Sequence, residues 1–482
     1  MACWGLLPAE LKLQIFSHAV PRGGFIVRRF RKDSWQCYPV TTLVMVAREW
    51  QAFFEAYNFD KIVIRHSELP YFEKLYSGYR RRMLRWVWLR TALRPDKQNE
   101  SPNRNDEIFT NAIGDLFNIL GRWKFTRGDP NYGLPKNLTL LFSICSRSEL
   151  ASEDALKDSD EYHLDYSDPP SNLYTRPLVK PLISDRSNRV LKEPYEVQLD
   201  FGTDPDGNDL LPELDFVSGL WIPRKFYRAI PRMDIIIRSL PNLKVLRYEP
   251  WSHISEDVAP LHQHDTLQMM KALPKSLTTL SLFESFEATD DWDTRWTIRP
   301  EAEELLRIAS QTLKKLDVSF VMTAEQFFRP FYADVYNDDL NLSWVNLECL
   351  ALTAESLNEL QHWQNIIDLL EATAQAALRM PKLRLLELWY CTQHHARVFR
   401  YTNLSDYAFI EWLDTGLPPE ALEEEIMKSW GKVADKFAHG SLVVRRRDLV
   451  QSDVGSSTRL LRSLRCFNSE LPEVPLRSMA MR

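Results

Sequence analysis

The sequence predicts an α/β protein in which a small N-terminal helical module precedes an irregular array of short parallel strands and helices. The array is predicted because the pattern Leu-x-x-Leu-x-apolar recurs through the second half of the chain, with stretches of helical periodicity between its copies. The helical module is predicted because the apolar positions near the N-terminus recur at helical spacing.

The N-terminal module is predicted from two stretches, Leu6 to Val20 and Thr41 to Phe59. In the first, Pro8 suits the opening turn of a helix, because the N–H that proline lacks would have no intrahelical partner there. Each stretch has one apolar helical face. The apolar positions are Leu7, Leu11 and Ile15 in the first stretch, and Leu43, Val46, Ala47, Trp50, Phe53 and Phe54 in the second.

The first stretch contains the motif Leu-Pro-x-Glu-Leu-x-x-x-Ile, and the second contains Arg-Glu-Trp followed by aromatic residues. Together they resemble the F-box. In that family, which supplies the substrate receptors of cullin-RING ubiquitin ligases, the Leu-Pro segment and the helices around it dock on a Skp-type adaptor. The resemblance covers residues 1–60, and the basic segment from Arg22 to Cys37 departs from it as added material between the helices. The adaptor contacts that it implies are Leu7, Pro8, Leu11, Ile15 and Trp50.

Five segments carry the repeated pattern, and their first leucines follow one another at intervals of 34 or 36 residues. They begin at Leu243, Leu277, Leu313, Leu347 and Leu383. A strand and a helix of this size cannot bury their apolar faces alone, so such units stack in a solenoid. The pattern resembles leucine-rich repeats, although the period exceeds the usual ~20–29 residues. Only Cys391 fits the position where that family has Asn or Cys, so we expect a degenerate leucine-rich-repeat-like domain over residues 61–450.

Less regular stretches flank the repeats. The segment from Glu107 to Arg122 has two adjacent apolar rows, which predict a packed helix. Residues 148–190 are first acidic and then rich in proline, which predicts an inserted surface loop, with a basic partner as the alternative. After Cys391 the repeat pattern ends. The elements expected beyond it are a helix from Glu420 to Phe437, a last strand at Leu442 to Val444, a solvated basic run from Arg445 to Arg447 and a tail over residues 451–482.

The composition favours a packed intracellular protein. Hydrophobic residues make up 44% and aromatic residues 12% of the 482 residues, which suits a large core and argues against disorder. The net charge of −6 gives no indication of a nucleic-acid partner. The six cysteines form no Cys-x-x-Cys pair, which favours a reducing compartment, the cytoplasm or nucleus. We expect no membrane association, because no signal peptide and no apolar run of spanning length is present.

Motifs for catalysis and metal binding are missing from the sequence. It has no glycine-rich phosphate loop, zinc-protease motif, nucleophile elbow or EF-hand loop. The nearest approach to a metal cluster is Cys391 with His394 and His395, but adjacent histidines on one element point in different directions. We therefore expect a binding protein and not an enzyme, with no cofactor and no metal.

The substrate-binding surface is predicted from strand geometry, because alternate side chains of a strand face opposite sides of a sheet. If Leu246 and Tyr248 face the core, the intervening positions line the concave side. The predicted substrate-binding residues are Arg247, Glu249, Phe283, Asp317, Ser319, Glu387 and Trp389. Phe283 and Trp389 are the expected anchors, because aromatic residues dominate interface energetics. The alternative is that neighbouring loops cover these side chains.

The resemblance to the F-box implies a substrate-recognition subunit of an SCF-type cullin-RING E3 ligase, with an unidentified protein substrate bound by the repeats. The long repeats and tryptophan-rich segments resemble F-box proteins of filamentous fungi. One alternative is a repeat scaffold without a ligase role, in which Leu7, Pro8 and Ile15 would be buried against the first repeat. Another is an enzyme with an irregular α/β fold, which would need a deep pocket lined by ionisable groups.

Overall fold

The computed structural model describes most of the chain outside the predicted insertion and tail. The described residues are 7–19, 43, 45–93, 103–123, 134–146, 199–202, 211–222, 230, 232–249, 259–283, 300–334, 341–358, 363–391, 396–414, 420–438 and 441–448. The segment from Arg22 to Cys37, the predicted insertion at residues 148–190 and the tail at 451–482 lie outside these residues.

The described strands form one sheet of 12 strands, whose order in space is their order along the chain. All neighbours pair in parallel except β10, which is antiparallel to both β9 and β11. This confirms the mixed α/β class with a mostly parallel sheet. The strands are β1 Lys61–Arg65, β2 Trp86–Leu93, β3 Leu138–Ser146, β4 Val217–Ile222, β5 Val245–Tyr248, β6 Thr279–Phe283, β7 Lys315–Thr323, β8 Cys349–Thr353, β9 Leu385–Cys391, β10 Ala396–Asn403, β11 Ala408–Asp414 and β12 Leu442–Asp448.

Ten α-helices are described, and most of them connect consecutive parallel strands, which need a crossover of this kind. The helix predicted from Glu107 to Arg122 is confirmed within α4, and that from Glu420 to Phe437 is confirmed as α10. The helices are α1 Ala9–Ala19, α2 Arg48–Asp60, α3 Leu69–Leu75, α4 Asn103–Arg122, α5 Met233–Arg238, α6 Ala259–Ala272, α7 Pro300–Ser310, α8 Ala324–Phe328, α9 Trp363–Ala377 and α10 Glu420–Phe437.

The five repeated segments form β5 to β9, as predicted. The second leucine of each pattern lies at the same height in the sheet, so that Leu246, Leu280, Leu316, Leu350 and Leu386 form one lateral row of register partners. All five are fully buried. Because the repeats are of nearly constant length, each strand returns to the register of the one before it.

The main core lies between one face of the sheet and the helices. Each helix from α3 to α10 contributes buried side chains to it, such as Leu306 from α7 and Leu370 from α9. The cluster runs from Phe59 to Ala438 without a break into separate cores. Full burial of an aliphatic or aromatic side chain contributes about 1.5–3 kcal/mol, so this face is the principal source of stability.

The structure adds detail to the sequence predictions. The repeat pattern ends after Cys391, as predicted, and β10 and β11 form an antiparallel hairpin there that the sequence interpretation did not include. The second N-terminal helix, α2, extends to Asp60, and β1 begins at Lys61. Between β8 and β9 the described residues form a short 3-10 turn at Glu355–Asn358 and then α9.

The two N-terminal helices pack on each other around a small cluster of their own. Phe16 of α1 and Phe54 of α2 are its buried centre, and Leu43, Trp50 and Phe53 pack against them. This cluster is separate from the main core. No linker separates α2 from β1, so the position of α2 is tied directly to the first strand of the sheet.

Candidate protein-binding surfaces

Five large apolar side chains near the N-terminus are exposed, and we call them the N-terminal apolar set. Leu11, Leu13 and Ile15 of α1 are 44%, 53% and 42% exposed. Met45 and Val46, which precede α2, are 87% and 59% exposed. Isolated exposed apolar residues are common on proteins, but several on two adjoining segments are typical of an interaction site.

The residues predicted to contact an adaptor divide into two groups. Pro8, Leu11 and Ile15 are exposed, whereas Leu7 and Trp50 are half-buried. Trp50 packs edge-on against the ring of Phe16, with 5.1 Å between the ring centroids, and so helps to hold α1 on α2. The sequence interpretation did not include Leu13, Met45 and Val46 among the adaptor contacts. Leu13 and Met45 fall outside the predicted apolar rows, and Val46 was assigned only to the apolar face of the second stretch.

Glu55 links α2 to the 3-10 turn at Gly78–Met83, which precedes β2. Its carboxylate accepts hydrogen bonds from the Tyr79 hydroxyl at 2.5 Å, from Arg80 Nη2 at 3.1 Å and from Gln51 Nε2 at 3.3 Å. Burial raises the pKa of Glu55, but these hydrogen bonds outweigh burial and hold the pKa below its usual value. The Arg80 guanidinium also lies 4.5 Å from the centroid of the Phe59 ring. α2 is therefore held against the 3-10 turn that precedes β2 by ionic and aromatic contacts.

The face of the sheet opposite the main core carries a lateral row of polar side chains, which we call the charged row. Register pairs link each member to its neighbour, with Ala351 between Asp317 and Glu387. The row consists of Arg247 on β5, Ser281 on β6, Asp317 on β7, Glu387 on β9, Arg400 on β10, Glu411 on β11 and Arg445 on β12. The predicted substrate-binding residues lie on this face, as strand alternation indicated.

The structure does not leave the predicted substrate-binding residues open to solvent. Arg247, Glu249, Phe283, Asp317, Ser319, Glu387 and Trp389 are each at most 3% exposed. The reason is that this face has a small core of its own, in which Phe283, Ala351, Leu385, Trp389, Val398 and Leu413 pack together. These side chains are therefore buried, as the alternative expected, and the cover that the described residues show is this small core and not a loop.

Arg400 holds two buried carboxylates together across three strands. Its Nε lies 2.7 Å from Glu387 Oε1, and its Nη1 lies 3.1 Å from Glu411 Oε2. Burial lowers the pKa of Arg400, but the two carboxylates raise it by more, so the guanidinium stays charged. On the other face of the hairpin, Arg397 Nε donates to Asp414 Oδ2 at 2.8 Å. Each face of the β10–β11 hairpin is thus fixed by an ion pair that bridges its strands.

Asp317 is the most strongly perturbed carboxyl group of the charged row. Its Oδ2 accepts a hydrogen bond from Ser281 Oγ at 3.1 Å. Burial raises its pKa to about 7, against the opposing effect of Lys315 and Arg247. Within the described part of the chain, Oδ1 of Asp317 and Oγ of Ser319 have no hydrogen-bond partner. A carboxyl group in this setting exchanges a proton near neutral pH.

An aromatic cluster lies beside Asp317 on the same face. The ring of Phe320 contacts Phe283 and Trp389 edge-on, with centroid distances of 5.7 and 5.3 Å. Phe320 has a left-handed backbone with φ of 62°, at an irregularity in the pairing of β7 with β8. Its N–H donates to Thr353 Oγ1 at 3.0 Å. The left-handed turn places the ring between the two other aromatic side chains.

The sequence interpretation missed Arg400 and Glu411, which complete the charged row. They lie outside the five repeats, so a search based on the leucine pattern could not find them. The available signal was local: two runs rich in aromatic and β-branched residues flank the polar turn at Asn403 to Asp406, a pattern typical of a hairpin.

Comparison with known proteins identifies one family. Residues 272–469 match a family described as "Family of unknown function (DUF6546)". The matched segment contains β6 to β12, and so includes the β10–β11 hairpin and all of the charged row except Arg247. No curated protein matches the chain.

The described residues give no sign of two other kinds of site. No described helix is both long and apolar enough to cross a membrane. No group of three or more His, Cys, Asp or Glu side chains in the described ranges is placed to hold a metal ion.

Proposed function

We propose that the chain is a substrate receptor of an SCF-type cullin-RING ubiquitin ligase. In this proposal the N-terminal helices act as an F-box and bind a Skp-type adaptor, and the sheet domain, a degenerate leucine-rich-repeat-like solenoid, holds the protein substrate. The solenoid interpretation is supported by the strand order, which follows the chain, and by the stacked leucine row.

The observation that carries the proposal is the exposure of Leu11 and Ile15, which lie one turn apart on the same face of α1, while Phe16 is buried on another face of this helix. A helical pair that served only as a cap would cover these side chains. Exposed apolar side chains are costly in water unless a partner buries them, and burial of each would contribute about 1.5–3 kcal/mol to binding.

The proposed mechanism is positioning, not chemistry. The adaptor would hold α1 and α2, and α2 leads directly into β1. The hydrogen bonds from Tyr79 and Arg80 to Glu55 also join α2 to the turn that precedes β2. A substrate bound on the sheet domain would therefore keep a defined distance and orientation relative to the ligase.

The first test is co-purification of the chain with a Skp-type adaptor. The double variant Leu11→Glu/Ile15→Glu places two charges in the apolar interface, and we expect adaptor binding to weaken at least about 100-fold, from two lost apolar contacts of this size. The matched control is Ile308→Glu/Val345→Glu, because Ile308 and Val345 are apolar and 51% exposed but lie elsewhere on the molecule.

Retention of adaptor binding by the control, with an unchanged circular dichroism spectrum for both variants, would support the proposal. Failure of the folded wild-type chain to bind any Skp-type adaptor would make the ligase role wrong. The N-terminal helices would then be a cap, and the sheet domain alone would carry the function.

A further inference from the structure

The last strand, β12, leaves one edge of the sheet open within the described part of the chain. β12 pairs with β11 over all seven of its residues, from Leu442 opposite Ala408 to Asp448 opposite Asp414. No described strand pairs with its outer side. The outward N–H and C=O groups of such a strand form a template on which another extended chain can pair.

The side chains of this edge are basic. Arg445 and Arg447 are exposed and lie on the same side of the strand, since their positions differ by two. Arg445 is held in place by Phe409 of β11, with its guanidinium 5.2 Å from the ring centroid. An added strand would carry its own alternate side chains directly beside these two arginines.

We propose that the outer edge of β12 binds an acidic protein segment in extended conformation. The segment adds a strand to the sheet, and carboxylates at alternate positions contact Arg445 and Arg447. The backbone hydrogen bonds between β12 and the added strand supply affinity, and the two arginines make the site specific for segments with negative charge. This surface lies at the opposite end of the sheet from α1 and α2, and the proposal does not depend on adaptor binding.

A second copy of the chain is a poorer occupant of this edge. Pairing of two β12 edges would bring arginines of one copy beside arginines of the other, and like charges on neighbouring strands are destabilising. Charged side chains on an edge strand commonly prevent such association. The same residues that oppose self-association therefore favour an acidic partner.

The probe is a fluorescein-labelled peptide of alternating Glu and Val, as long as β12, with binding to the full chain followed by fluorescence anisotropy. We expect saturable binding that weakens at least about tenfold in Arg445→Glu/Arg447→Glu, because both ion pairs become repulsive. The control peptide has the same sequence, but alternate backbone nitrogens are methylated. It keeps its charge but cannot form the backbone hydrogen bonds of a paired strand, and we expect it not to bind.

The matched control is Lys428→Glu/Lys432→Glu, which makes the same change in net charge on exposed residues of α10. An equal loss of binding in this control would show general electrostatic attraction and overturn the proposal. Equal binding of the methylated peptide to the wild-type chain would also overturn it, whatever the folding of the variants. An absence of binding by the unmodified peptide would do the same.

Discussion

At the scale of single residues, the charged row shows how position within one face determines the state of a charge. Arg400 lies between two carboxylates and remains charged despite its burial. Asp317 is equally buried but has a hydroxyl group as its nearest hydrogen-bond donor, and burial raises its pKa to about 7. Burial of a charged group is costly unless a close opposite charge pairs with it. Arg400 has such partners and keeps its usual ionisation, whereas Asp317 does not keep it.

This difference makes the stability of the protein depend on the protonation of Asp317. Its pKa is about 7 in the folded chain and about 4 in the unfolded chain. Between these values the folded state binds the additional proton, so the contribution of Asp317 to stability is present below pH about 4 and declines as pH rises to 7. In Asp317→Asn, which cannot ionise, this decline is absent.

We therefore expect the stability of Asp317→Asn, relative to the wild type, to increase between pH 4.5 and 7.5 by a few kcal/mol, an order-of-magnitude figure from the linkage relation. Urea unfolding at these two pH values measures the difference. Arg445→Gln is a suitable control, because an exposed substitution changes stability by about 0.5 kcal/mol or less. A pH-independent difference for Asp317→Asn would contradict the assignment.

At the scale of elements, the irregular part of β7 contains a residue whose side-chain packing requires an unfavourable backbone conformation. Phe320 has a left-handed backbone, which costs a non-glycine residue roughly 1–2 kcal/mol. The conformation persists because it brings the ring against Phe283 and Trp389 and the N–H against Thr353. Packing on the second face therefore overrides the local preference of the chain.

Comparison of Phe320→Gly with Phe320→Ala separates these two effects, because both variants lose the ring. We expect the glycine variant to be more stable than the alanine variant by about 1 kcal/mol, since only glycine adopts this backbone without strain. Thermal or urea unfolding gives the comparison. At an ordinary position in a strand, an alanine variant is more stable than a glycine variant. If Phe320→Ala proved more stable than Phe320→Gly, the left-handed backbone would not be retained in these variants.

At the scale of the whole molecule, the N-terminal helices have a hydrophobic cluster that is separate from the cores on the two faces of the sheet. The main core joins the sheet to α3–α10 and includes Phe59 near the end of α2, whereas the cluster around Phe16 and Phe54 joins α1 to α2. Local opening of a protein follows such boundaries, because separate cores can be lost independently. The proposed adaptor-binding helix therefore has a stability of its own.

Truncation of Phe16 tests this division. We expect Phe16→Ala to remove about 3–5 kcal/mol from the packing of α1 and to raise its amide hydrogen exchange, while exchange in β5–β9 is unchanged. Leu316→Ala, in the leucine row, is the matched substitution in the main core and is expected to accelerate exchange across the neighbouring strands. Faster exchange throughout the sheet in Phe16→Ala would mean that the two cores unfold as one.

The strands that share the leucine pattern could be predicted from the sequence, because repeated units of nearly constant length must return to the same register. The alternation of side chains likewise assigned Arg247, Asp317 and Glu387 to the correct face of the sheet. Both conclusions depend on local periodicity, which a single chain displays directly.

Three features were decided only by the tertiary structure. The burial of that second face depends on residues far apart in sequence, such as Phe283, Trp389 and Val398, which meet only after the strands are stacked. The ion pairs of Arg400 depend on a hairpin outside the repeats, and the left-handed turn at Phe320 depends on the rings that it reaches. Periodicity predicts which face of the sheet a side chain lies on, but the residues that this side chain contacts depend on the packing of the whole chain.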